Sequence, residues 1–388
     1  MQNIEKTAVC IVGAGPAGSA TSIMLSNLKI HHYIIDKAVF PRDKTCGDGL
    51  ILYAYRSLKI LGEGLFYDFL NNPKFIHSKK IQFHPDNLHH VEFKETQKRD
   101  MVISYAKRID FDDFLVNHLN KKYAKTIFGN GVKTLKEHKD NILITLKDGK
   151  QIETKLVVGA DGVKSKVYSN LVGEKISKKL ASTFVCGYFE NVLLAKENVA
   201  EIRLIYKKMP LFFYIFPLAD GQVNVSLGGR ADLIKKHNIN LIDEINAIIK
   251  RHKKVKHKFI DGRRVGNWRG WSIPFHFGKH KIFGNKFVLV GDAAGLANPF
   301  YKEGIGTGMM SGIIAAKNIE RCLQESDFSV ENLQKYEQDL KEKFGRLLKF
   351  SYFSLKMARF KQMFAFFTKI LKNKIEEKSY AAIQKRSY

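Results

Sequence analysis

The first fifty residues alternate between short apolar runs and turns rich in glycine or polar residues. Ala8 to Val12 form an apolar run rich in β-branched residues, a stretch compatible with a helix reaches Leu28, and a second run ends in Asp36. Apolar runs of this length, bounded by glycine or polar residues, are typical of buried strands. The pattern therefore predicts a strand–helix–strand unit.

The turn between the first strand and the helix reads Gly-Ala-Gly-Pro-Ala-Gly, with glycines at 13, 15 and 18 and with Pro16 and Ala17 between them. In a dinucleotide site, Gly13 permits a tight turn, Gly15 lets the backbone approach a diphosphate, and Gly18 lets helix and strand pack closely. The helix N-terminus offers unpaired N–H groups to the anion, and an acid such as Asp36 accepts hydrogen bonds from a ribose. The unit therefore predicts a dinucleotide site, and by itself it leaves FAD and a nicotinamide cofactor open.

Two later segments repeat the arrangement of an apolar strand followed by a glycine-acid turn. Leu156 to Val158 lead to Asp161 and Gly162, and Phe287 to Val290 lead to Asp292. The second segment continues through Pro299 into a glycine-rich helix start. Glycine and aspartate are common turn residues, but three such segments in one chain indicate a shared ligand.

The middle of the chain contains strand-like segments separated by turn residues: 202–206, 212–216 and 222–227. They predict an antiparallel sheet, and residues 75–98 are expected to add edge strands to it. Because side chains alternate along a strand, Phe212, Tyr214 and Phe216 are expected to share one face. These three residues could form an aromatic wall for a substrate, or they could be sheet core.

The 388 residues are 45% hydrophobic and 12% aromatic, a composition that favours a packed fold over disorder. Lys and Arg exceed Asp and Glu by 65 to 38, which gives a formal net charge of +27. This excess admits nucleic acid, anionic lipid and phosphorylated ligands as partners. The basic run at 250–258 has no RNA- or DNA-binding module beside it, so we expect no nucleic-acid partner.

The four cysteines, at 10, 46, 186 and 322, form no CxxC pair, and the 13 histidines are scattered. We therefore expect neither disulfides nor a metal site, and a reducing cytoplasm fits best. The uncharged run from Thr7 to Leu28 contains three glycines, a proline and several polar residues, so we expect neither a membrane span nor a signal peptide.

The C-terminal region combines lysines with aromatic residues. An apolar stripe with steps of three and four predicts one amphipathic helix along 353–371, formed by Phe353, Met357, Phe360, Phe364, Phe367 and Leu371. One reading packs this stripe on the fold. The other lays it in a lipid interface, where neighbouring lysines such as Lys349 and Lys356 meet anionic head groups. This second reading predicts a peripheral protein on the inner face of the membrane.

The order and spacing of the three glycine-containing segments resemble those of the FAD-dependent flavoproteins of the p-hydroxybenzoate-hydroxylase fold. Within that group, residues 41–50, PRDKTCGDGL, look like the segment typical of the geranylgeranyl reductase family. The resemblance covers roughly residues 7–320. It implies an α/β fold with a Rossmann-like FAD-binding domain, an inserted antiparallel-sheet substrate domain and a helical C-terminal tail.

The resemblance also implies domain bounds and site residues. The FAD-binding domain would comprise 1–74, 99–171 and 278–335, the substrate domain 75–98 and 172–277, and the basic helical region 336–388. Asp36 would hold the adenosine ribose, Asp292 the ribityl chain, and Gly304 and Gly306 would offer N–H groups near the flavin pyrimidine edge. The remaining cofactor contacts implied are Lys37, Arg42, Cys46, Gly47, Arg108, Asp161, Gly162, Pro299 and Ile305.

Two departures from the family pattern stand out. Tyr168 occupies the place where the family commonly has an arginine after its DG segment, and Phe212 and Tyr214 stand where a tyrosine and a tryptophan would be. By the resemblance, the first removes an arginine contact that supports the DG turn. The second changes which aromatic side chains the substrate-facing strand carries.

The function implied is reduction of carbon–carbon double bonds in an isoprenoid or other lipid by hydride transfer from reduced FAD. Cys46 is the candidate proton donor beside the flavin, and Tyr214 is a second catalytic candidate that would order the substrate. A flavin monooxygenase or halogenase remains an alternative, and a non-enzymatic lipid carrier is an alternative of another class. The electron donor stays open between NADPH, ferredoxin and quinol, as does the oligomeric state.

Overall fold

The computed structural model describes residues 4–78, 80–86, 90–94, 103–174, 180–193 and 198–370. The strands are, in chain order, β1 (Glu5–Val12), β2 (His32–Asp36), β3 (Gly49–Leu50), β4 (Ile76–Ser78), β5 (Lys80–His84), β6 (Val91–Lys94), β7 (Ile103–Tyr105), β8 (Ala124–Phe128), β9 (Val132–Glu137), β10 (Ile142–Leu146), β11 (Gln151–Gly159), β12 (Ala181–Glu190), β13 (Val199–Tyr206), β14 (Pro210–Pro217), β15 (Val223–Arg230), β16 (Arg263–Pro274), β17 (Phe283–Gly284) and β18 (Phe287–Leu289). The α-helices are α1 (Pro16–Asn27), α2 (Leu52–Leu61), α3 (Glu63–Leu70), α4 (Arg108–Asn117), α5 (Ala231–Lys236), α6 (Leu241–Arg251), α7 (Ile305–Glu325), α8 (Val330–Met357) and α9 (Lys361–Ile370).

The first sheet carries the glycine-rich segments at the ends of its central strands. Its order is β17-β18-β11-β1-β2-β8, with β10 and β9 attached beside β11. Strands β18, β11, β1, β2 and β8 run parallel to their neighbours in this order. Because the carboxyl ends of parallel strands meet at one edge of a sheet, the turns after β1, β11 and β18 lie close together.

The second sheet has the order β16-β12-β15-β14-β13-β5-β6. Strands β12 to β16 pair antiparallel, as the sequence predicts. Strand β5, which comes from the earlier excursion, instead pairs parallel to β13. The difference arises because no hairpin joins these two strands, so the connection does not fix their relative direction.

Side chains of β14 divide between two hydrophobic clusters. Phe212, Tyr214 and Phe216 lie in a cluster with Phe275 and Phe300, which belong to the region around the third glycine segment. The intervening residues of β14 pack instead with the helical layer on the other side: Leu211, Phe213 and Ile215. One face of the second sheet is therefore turned toward the glycine-rich segments, and the fold class predicted from the sequence is confirmed.

The C-terminal region is not the single helix that the apolar stripe predicts. Helix α8 ends at Met357 and α9 begins at Lys361, so a break separates Phe353 from Phe364. Phe364 is buried, whereas Phe353 and Phe360 are more than half exposed. The side chain of Phe367 and all of Leu371 lie outside the described residues. Within the described residues, none of the helices is both long and apolar enough to cross a bilayer.

Candidate functional site

The turn after β1 accepts only glycine at two of its three glycine positions. Gly13 has φ +104°, and a Cβ there would lie 2.4 Å from the main-chain oxygen of Ala160. A Cβ on Gly18 would lie 1.8 Å from the main-chain oxygen of Gly13. These contacts bring β1, α1 and the turn after β11 together, as close packing of a dinucleotide-binding unit requires.

The start of α1 is arranged to bind an anion. Gly15 precedes the helix, Pro16 occupies its first turn, and no side chain caps its N–H groups. A Cβ on Gly15 would lie 3.5 Å from Nη2 of Arg42. The position beside Gly15 is thus surrounded by unpaired N–H groups, the positive end of the helix dipole and a guanidinium. These groups suit a diphosphate.

Asp36 ends β2 with a buried carboxylate that is fixed by the backbone. Its Oδ2 accepts a 2.8 Å hydrogen bond from the N–H of Ala14, and its Oδ1 accepts one of 2.9 Å from the N–H of Ala38. Each carboxylate oxygen can accept a second hydrogen bond, so Asp36 retains capacity for a ribose hydroxyl. Lys37 follows it and is exposed.

Two arginines share one fully buried carboxylate behind this turn. Asp112 on α4 binds Arg108 through two 2.7 Å contacts and Nη1 of Arg42 through a third of 2.7 Å. Burial acts to lower the pKa of Arg108, but the Asp112 carboxylate outweighs it and raises that pKa. Arg108 therefore stays charged, and the ion pair fixes it beside Cys46.

Cys46 lies half-buried in the loop between β2 and β3. Burial raises the pKa of its thiol, while the neighbouring Arg108 and Lys44 act to lower it. A Cβ on the next residue, Gly47, would lie 3.9 Å from both the Phe216 ring and the Ser226 hydroxyl. The structure thus places the Cys46 thiol beside Arg108 and the next residue of its loop beside the aromatic face of β14.

Asp48, two residues further, is fully buried and was not singled out from the sequence. Its Oδ2 accepts hydrogen bonds from the Tyr188 hydroxyl at 3.0 Å and from Nδ2 of Asn224 at 2.8 Å. Burial raises its pKa to about 7. The signal available in the sequence was the pair of polar residues, Asn224 and Ser226, inside the otherwise apolar strand β15.

The turn after β18 holds the carboxylate predicted for the ribityl chain. Asp292 Oδ2 lies 3.6 Å from Nζ of Lys44, whose pKa is lowered by burial. A Cβ on Gly304 would lie 3.2 Å from Asp292 Oδ1. A carboxylate, a cation and a glycine without side-chain bulk thus meet in one place at the start of α7.

Helix α7 begins at Ile305, and its N-cap residue, Gly304, has no side chain that could accept from the first N–H groups. The N–H of Gly306, predicted to face the flavin, donates here to Oε1 of Glu303. Burial raises the pKa of Glu303 to about 7. The sequence pattern does not indicate Glu303, because a glutamate before a glycine-rich helix has no distinctive spacing.

Asp161 packs behind the first turn. A Cβ on Gly13 would lie 2.9 Å from the Asp161 main-chain nitrogen. The Asp161 side chain accepts from the N–H groups of Lys166 and Val167 at 2.5 and 3.2 Å, and Gly162 follows it with a positive φ. Its carboxylate thus caps a short helical segment within its own turn.

Tyr168, where the family commonly has an arginine, lies in a π-helical turn after this segment. It is buried, and its N–H donates to the hydroxyl of Ser165 at 2.9 Å. Its ring faces His276 and His280 at 6.4 Å. The residue that departs from the family pattern therefore packs as part of the fold.

The aromatic wall on β14 is continuous. The ring centroids of Tyr214 and Phe216 are 5.3 Å apart, those of Phe184 and Tyr214 are 5.7 Å apart, and Phe212 meets Phe300 at 5.5 Å. The Tyr214 hydroxyl is buried and has no hydrogen-bond partner among the described residues. Burial raises its pKa, so the hydroxyl stays protonated and can donate to a polar group of a substrate.

The loop around Pro299 forms the other side of this wall. Oδ1 of Asn298 accepts the N–H groups of Phe300 and Tyr301 at 2.9 Å, and its Nδ2 donates to Ser351 on α8. Lys302 is buried with Nζ 5.0 Å from the centre of the Phe212 ring. Burial lowers the pKa of this amine to about 7.

The structure thus gathers the predicted residues into two groups. One group surrounds the start of α1: Gly13, Gly15, Gly18, Arg42 and Asp161. The other lies between the loop of Cys46, the turn of Asp292 and the aromatic wall. Asp36 is the last residue of β2, and Lys37 follows it. Among the residues that the structure describes, no three His, Cys, Asp or Glu side chains group as metal ligands.

Comparison with known proteins identifies a family and named relatives. The family model described as FAD binding domain matches residues 6–351. A digeranylgeranylglycerophospholipid reductase of Methanocella arvoryzae is 28% identical over 89% of this chain and 85% of its own length. A menaquinone reductase of Mycobacterium tuberculosis is 25% identical, over 80% of this chain and 76% of its own length.

Among solved structures, a geranylgeranyl bacteriochlorophyll reductase-like protein of Thermoplasma acidophilum superimposes with a TM-score of 0.82. The two chains are 19% identical, and the match covers 95% of this chain and 92% of the other. At this identity the likeness concerns the fold.

Proposed function

The chain belongs to the FAD binding domain family, and from this premise we propose that it reduces carbon–carbon double bonds of an isoprenoid or other lipid. Its cofactor is FAD. The names of its relatives support a reductase, since they include a reductase of an isoprenoid phospholipid and a reductase of menaquinone. The residues of the site indicate which cofactor and which kind of substrate would fit.

The residues around the glycine turns fit FAD. Gly15 and Arg42 leave a cationic position without side-chain bulk at the start of α1, which suits the diphosphate. Asp36 would hold the adenosine ribose, and Asp292 would address the ribityl chain beside Lys44. The flavin ring would then lie between the Cys46 loop and the Pro299 loop.

The observation that carries the proposal is the aromatic wall beside Cys46. Phe212, Tyr214 and Phe216 form a buried apolar surface where a substrate would lie against the cofactor. Burial of a long apolar chain on such a surface is favourable by about 25 cal/mol for each Å² removed from water. An apolar wall with one donor, the Tyr214 hydroxyl, suits a lipid that carries few polar groups.

When bound and reduced, FAD supplies the hydride that a double bond requires. The second hydrogen must arrive as a proton, and an unactivated alkene needs an acid held close to the accepting carbon. Cys46 is a thiol at this place, and Arg108 beside it stabilises the thiolate that remains after the proton leaves. Tyr214 would orient the substrate along the wall.

We propose further that the protein works at an anionic membrane surface. Met363, Phe366 and Ile370 have helical spacing and form one exposed face of α9, and Phe350, Phe353 and Phe360 are exposed before it. Phe364 faces inward, where its ring lies 5.9 Å from that of Phe300. Exposed cations accompany the outer face: Lys349, Lys356, Arg359, Lys361 and Lys369. Apolar side chains bordered by cations are typical of interfacial helices.

An anaerobic substrate panel tests the reductase proposal. Protein reduced with dithionite is incubated with prenyl diphosphates, prenylated quinones and polyenes, and products are analysed by mass for added pairs of hydrogen. We expect at least one prenyl lipid to gain two hydrogens for each double bond reduced. An oxygenated product formed only in air would instead indicate a monooxygenase, and a colourless protein that binds prenyl lipids unchanged would indicate a carrier.

A further inference from the structure

A buried acid and a tyrosine connect the Cys46 loop with strand β12 of the second sheet. We propose that Tyr188 and Asp48 form a proton-supply path that reloads the Cys46 thiol after each turnover. This inference rests on the proposed function, in which Cys46 gives its proton to the substrate. It assigns a role to Asp48 and Tyr188, which are not residues of the aromatic wall.

The need for such a path follows from the surroundings of Cys46. Its loop lies against the apolar wall, where Phe216 packs on the buried Tyr105 with ring centroids 5.2 Å apart. A lipid on this wall would exclude water further. With a lipid in place, a thiolate left on the half-buried Cys46 after proton transfer would be shielded from solvent, and the next proton would then pass through protein groups.

Asp48 lies at the inner end of the path. Its carboxyl is fully buried, and the side chains of Tyr188 and Asn224 both donate to the same oxygen, Oδ2. The other oxygen, Oδ1, has no hydrogen-bond partner among the described residues. Nδ2 of Asn224 also donates to the main-chain oxygen of Cys46 at 2.8 Å, so one amide holds the acid and the thiol loop together.

Tyr188 lies at the outer end of the path. It is half-buried on β12, and its ring packs against Lys107 and Arg269 at 4.9 and 5.9 Å. Both cations reach the surface, where they bind Asp220 and Asp43. The half-buried tyrosine therefore lies between two cations of the rim, which pack on its ring, and the buried carboxyl, which its hydroxyl binds.

The charges around Asp48 support proton exchange near neutral pH. Arg108 and the hydrogen bonds from Asn224 and Tyr188 favour its carboxylate, but burial opposes them and keeps its pKa at about 7. Cys46 and Cys186 also face it, and burial raises the pKa of both thiols. Because a Cys46 thiolate is then the stronger base, transfer of a proton from Asp48 to sulfur is downhill.

Over one catalytic cycle, every proton that a group gives up is replaced. The S–H bond of Cys46 breaks as a C–H bond forms on the substrate, whose other carbon has received the hydride. The O–H bond of Asp48 then breaks as the S–H bond reforms. Tyr188 passes its hydroxyl proton to Asp48 while it takes one from solvent, so that no free tyrosinate forms. Each cycle thus consumes one solvent proton.

Single-turnover and steady-state rates test the path in the FAD-loaded protein. The substrate is geranylgeranyl diphosphate, or another panel member that wild-type protein reduces. In Asp48→Asn and Tyr188→Phe the first turnover should match wild type, because Cys46 already carries its proton, whereas steady-state turnover should fall by about 10²-fold. Equal losses in both phases would overturn the proposal, since a distorted site slows the first turnover as well.

Cys46→Ala separates the failure of this proposal from failure of the proposed function. It should slow the first turnover itself. An unchanged first turnover in Cys46→Ala would show that the thiol is not the donor, whatever Asp48 does.

Infrared spectroscopy supplies a measurement without catalysis. Oxidised wild-type protein should show the C=O stretch of a buried carboxylic acid, which disappears with a midpoint near pH 7 and is absent from Asp48→Asn. A spectrum in which Asp48 remains ionised from pH 5 to pH 9 would exclude the carboxyl as a proton carrier. Flavin absorbance of each variant confirms that the fold and FAD are retained.

Discussion

The side-chain amide of Asn224 donates a 2.8 Å hydrogen bond to the main-chain oxygen of Cys46, 178 residues earlier in the chain. Asn224 lies on β15 of the second sheet, whereas Cys46 lies in a loop that follows the first strand–helix–strand unit. The bond thus ties the thiol loop to the sheet that carries the aromatic wall. It sets the position of the Cys46 main chain relative to that wall.

The first prediction concerns this thiol. Cys46→Ala should retain FAD but slow the reduction of a prenyl lipid by about 10²-fold, the lower range for loss of a general acid. Cys322→Ala is the matched control, because Cys322 is a buried thiol near the far end of α7. The measurement is turnover of reduced protein, with flavin absorbance as the test of loading. Equal rates in both variants would mean that Cys46 only packs.

The second prediction concerns Asp292. Asp292→Ala should yield largely colourless protein, because the carboxylate beside Lys44 and Gly304 is the group that would bind the ribityl hydroxyls. The ratio of flavin to protein absorbance measures the loss. Asp140→Ala, at an exposed turn between β9 and β10, should remain yellow. A fully loaded Asp292→Ala would show that the ribityl chain is held elsewhere.

The third prediction uses the buried carboxyl of Glu303, whose pKa is raised from 4.5 to about 7 by burial. A raised pKa means that the folded state favours the protonated acid, so stability is lost as pH rises from about 4.5 through 7. Glu303→Gln keeps an acceptor for the N–H of Gly306 and removes the titration.

Urea unfolding at saturating FAD measures the consequence. Each unit of raised pKa corresponds to about 1.4 kcal/mol, so Glu303→Gln should gain roughly 2–3 kcal/mol on wild type between pH 5 and pH 8. A difference between the two proteins that does not change with pH would mean that Glu303 is ionised throughout.

The fourth prediction concerns the outer face of the C-terminal helices. Replacing the exposed Phe353 and Phe360 with serine should weaken binding to vesicles of phosphatidylglycerol while the flavin stays bound. Binding to anionic vesicles should exceed binding to neutral ones. It should also weaken with salt, because the Debye length falls from ~30 Å at 0.01 M to ~8 Å at 0.15 M.

The control for the vesicle experiment is the inward residue Phe364. Phe364→Ser should lower stability, because it removes a ring that packs on Phe300. It should leave the exposed side chains of Phe353 and Phe360 intact, so we expect vesicle binding to remain. If instead Phe353→Ser/Phe360→Ser binds vesicles as wild type does, the exposed aromatic residues do not contact the bilayer.

Local patterns determined the first strand–helix–strand unit and the second sheet's main strands. Glycines whose missing Cβ permits contact, as at Gly13 and Gly18, leave a direct mark in the sequence because no other residue fits. Alternation on β14 likewise indicated that Phe212, Tyr214 and Phe216 share a face, because strand geometry allows no other arrangement. The glycine inference required only a local sequence pattern, and the β14 inference required only the geometry of a single strand.

Tertiary structure alone decided which distant groups meet. The parallel pairing of β5 with β13, the break between α8 and α9, and the contact of Asp48 with Tyr188 all depend on packing between segments far apart in the chain. The helical period placed Phe360 and Phe364 in one stripe, but the break turned one outward and the other inward. Periodicity describes one continuous element, whereas burial depends on what packs against it, and that is a property of the whole fold.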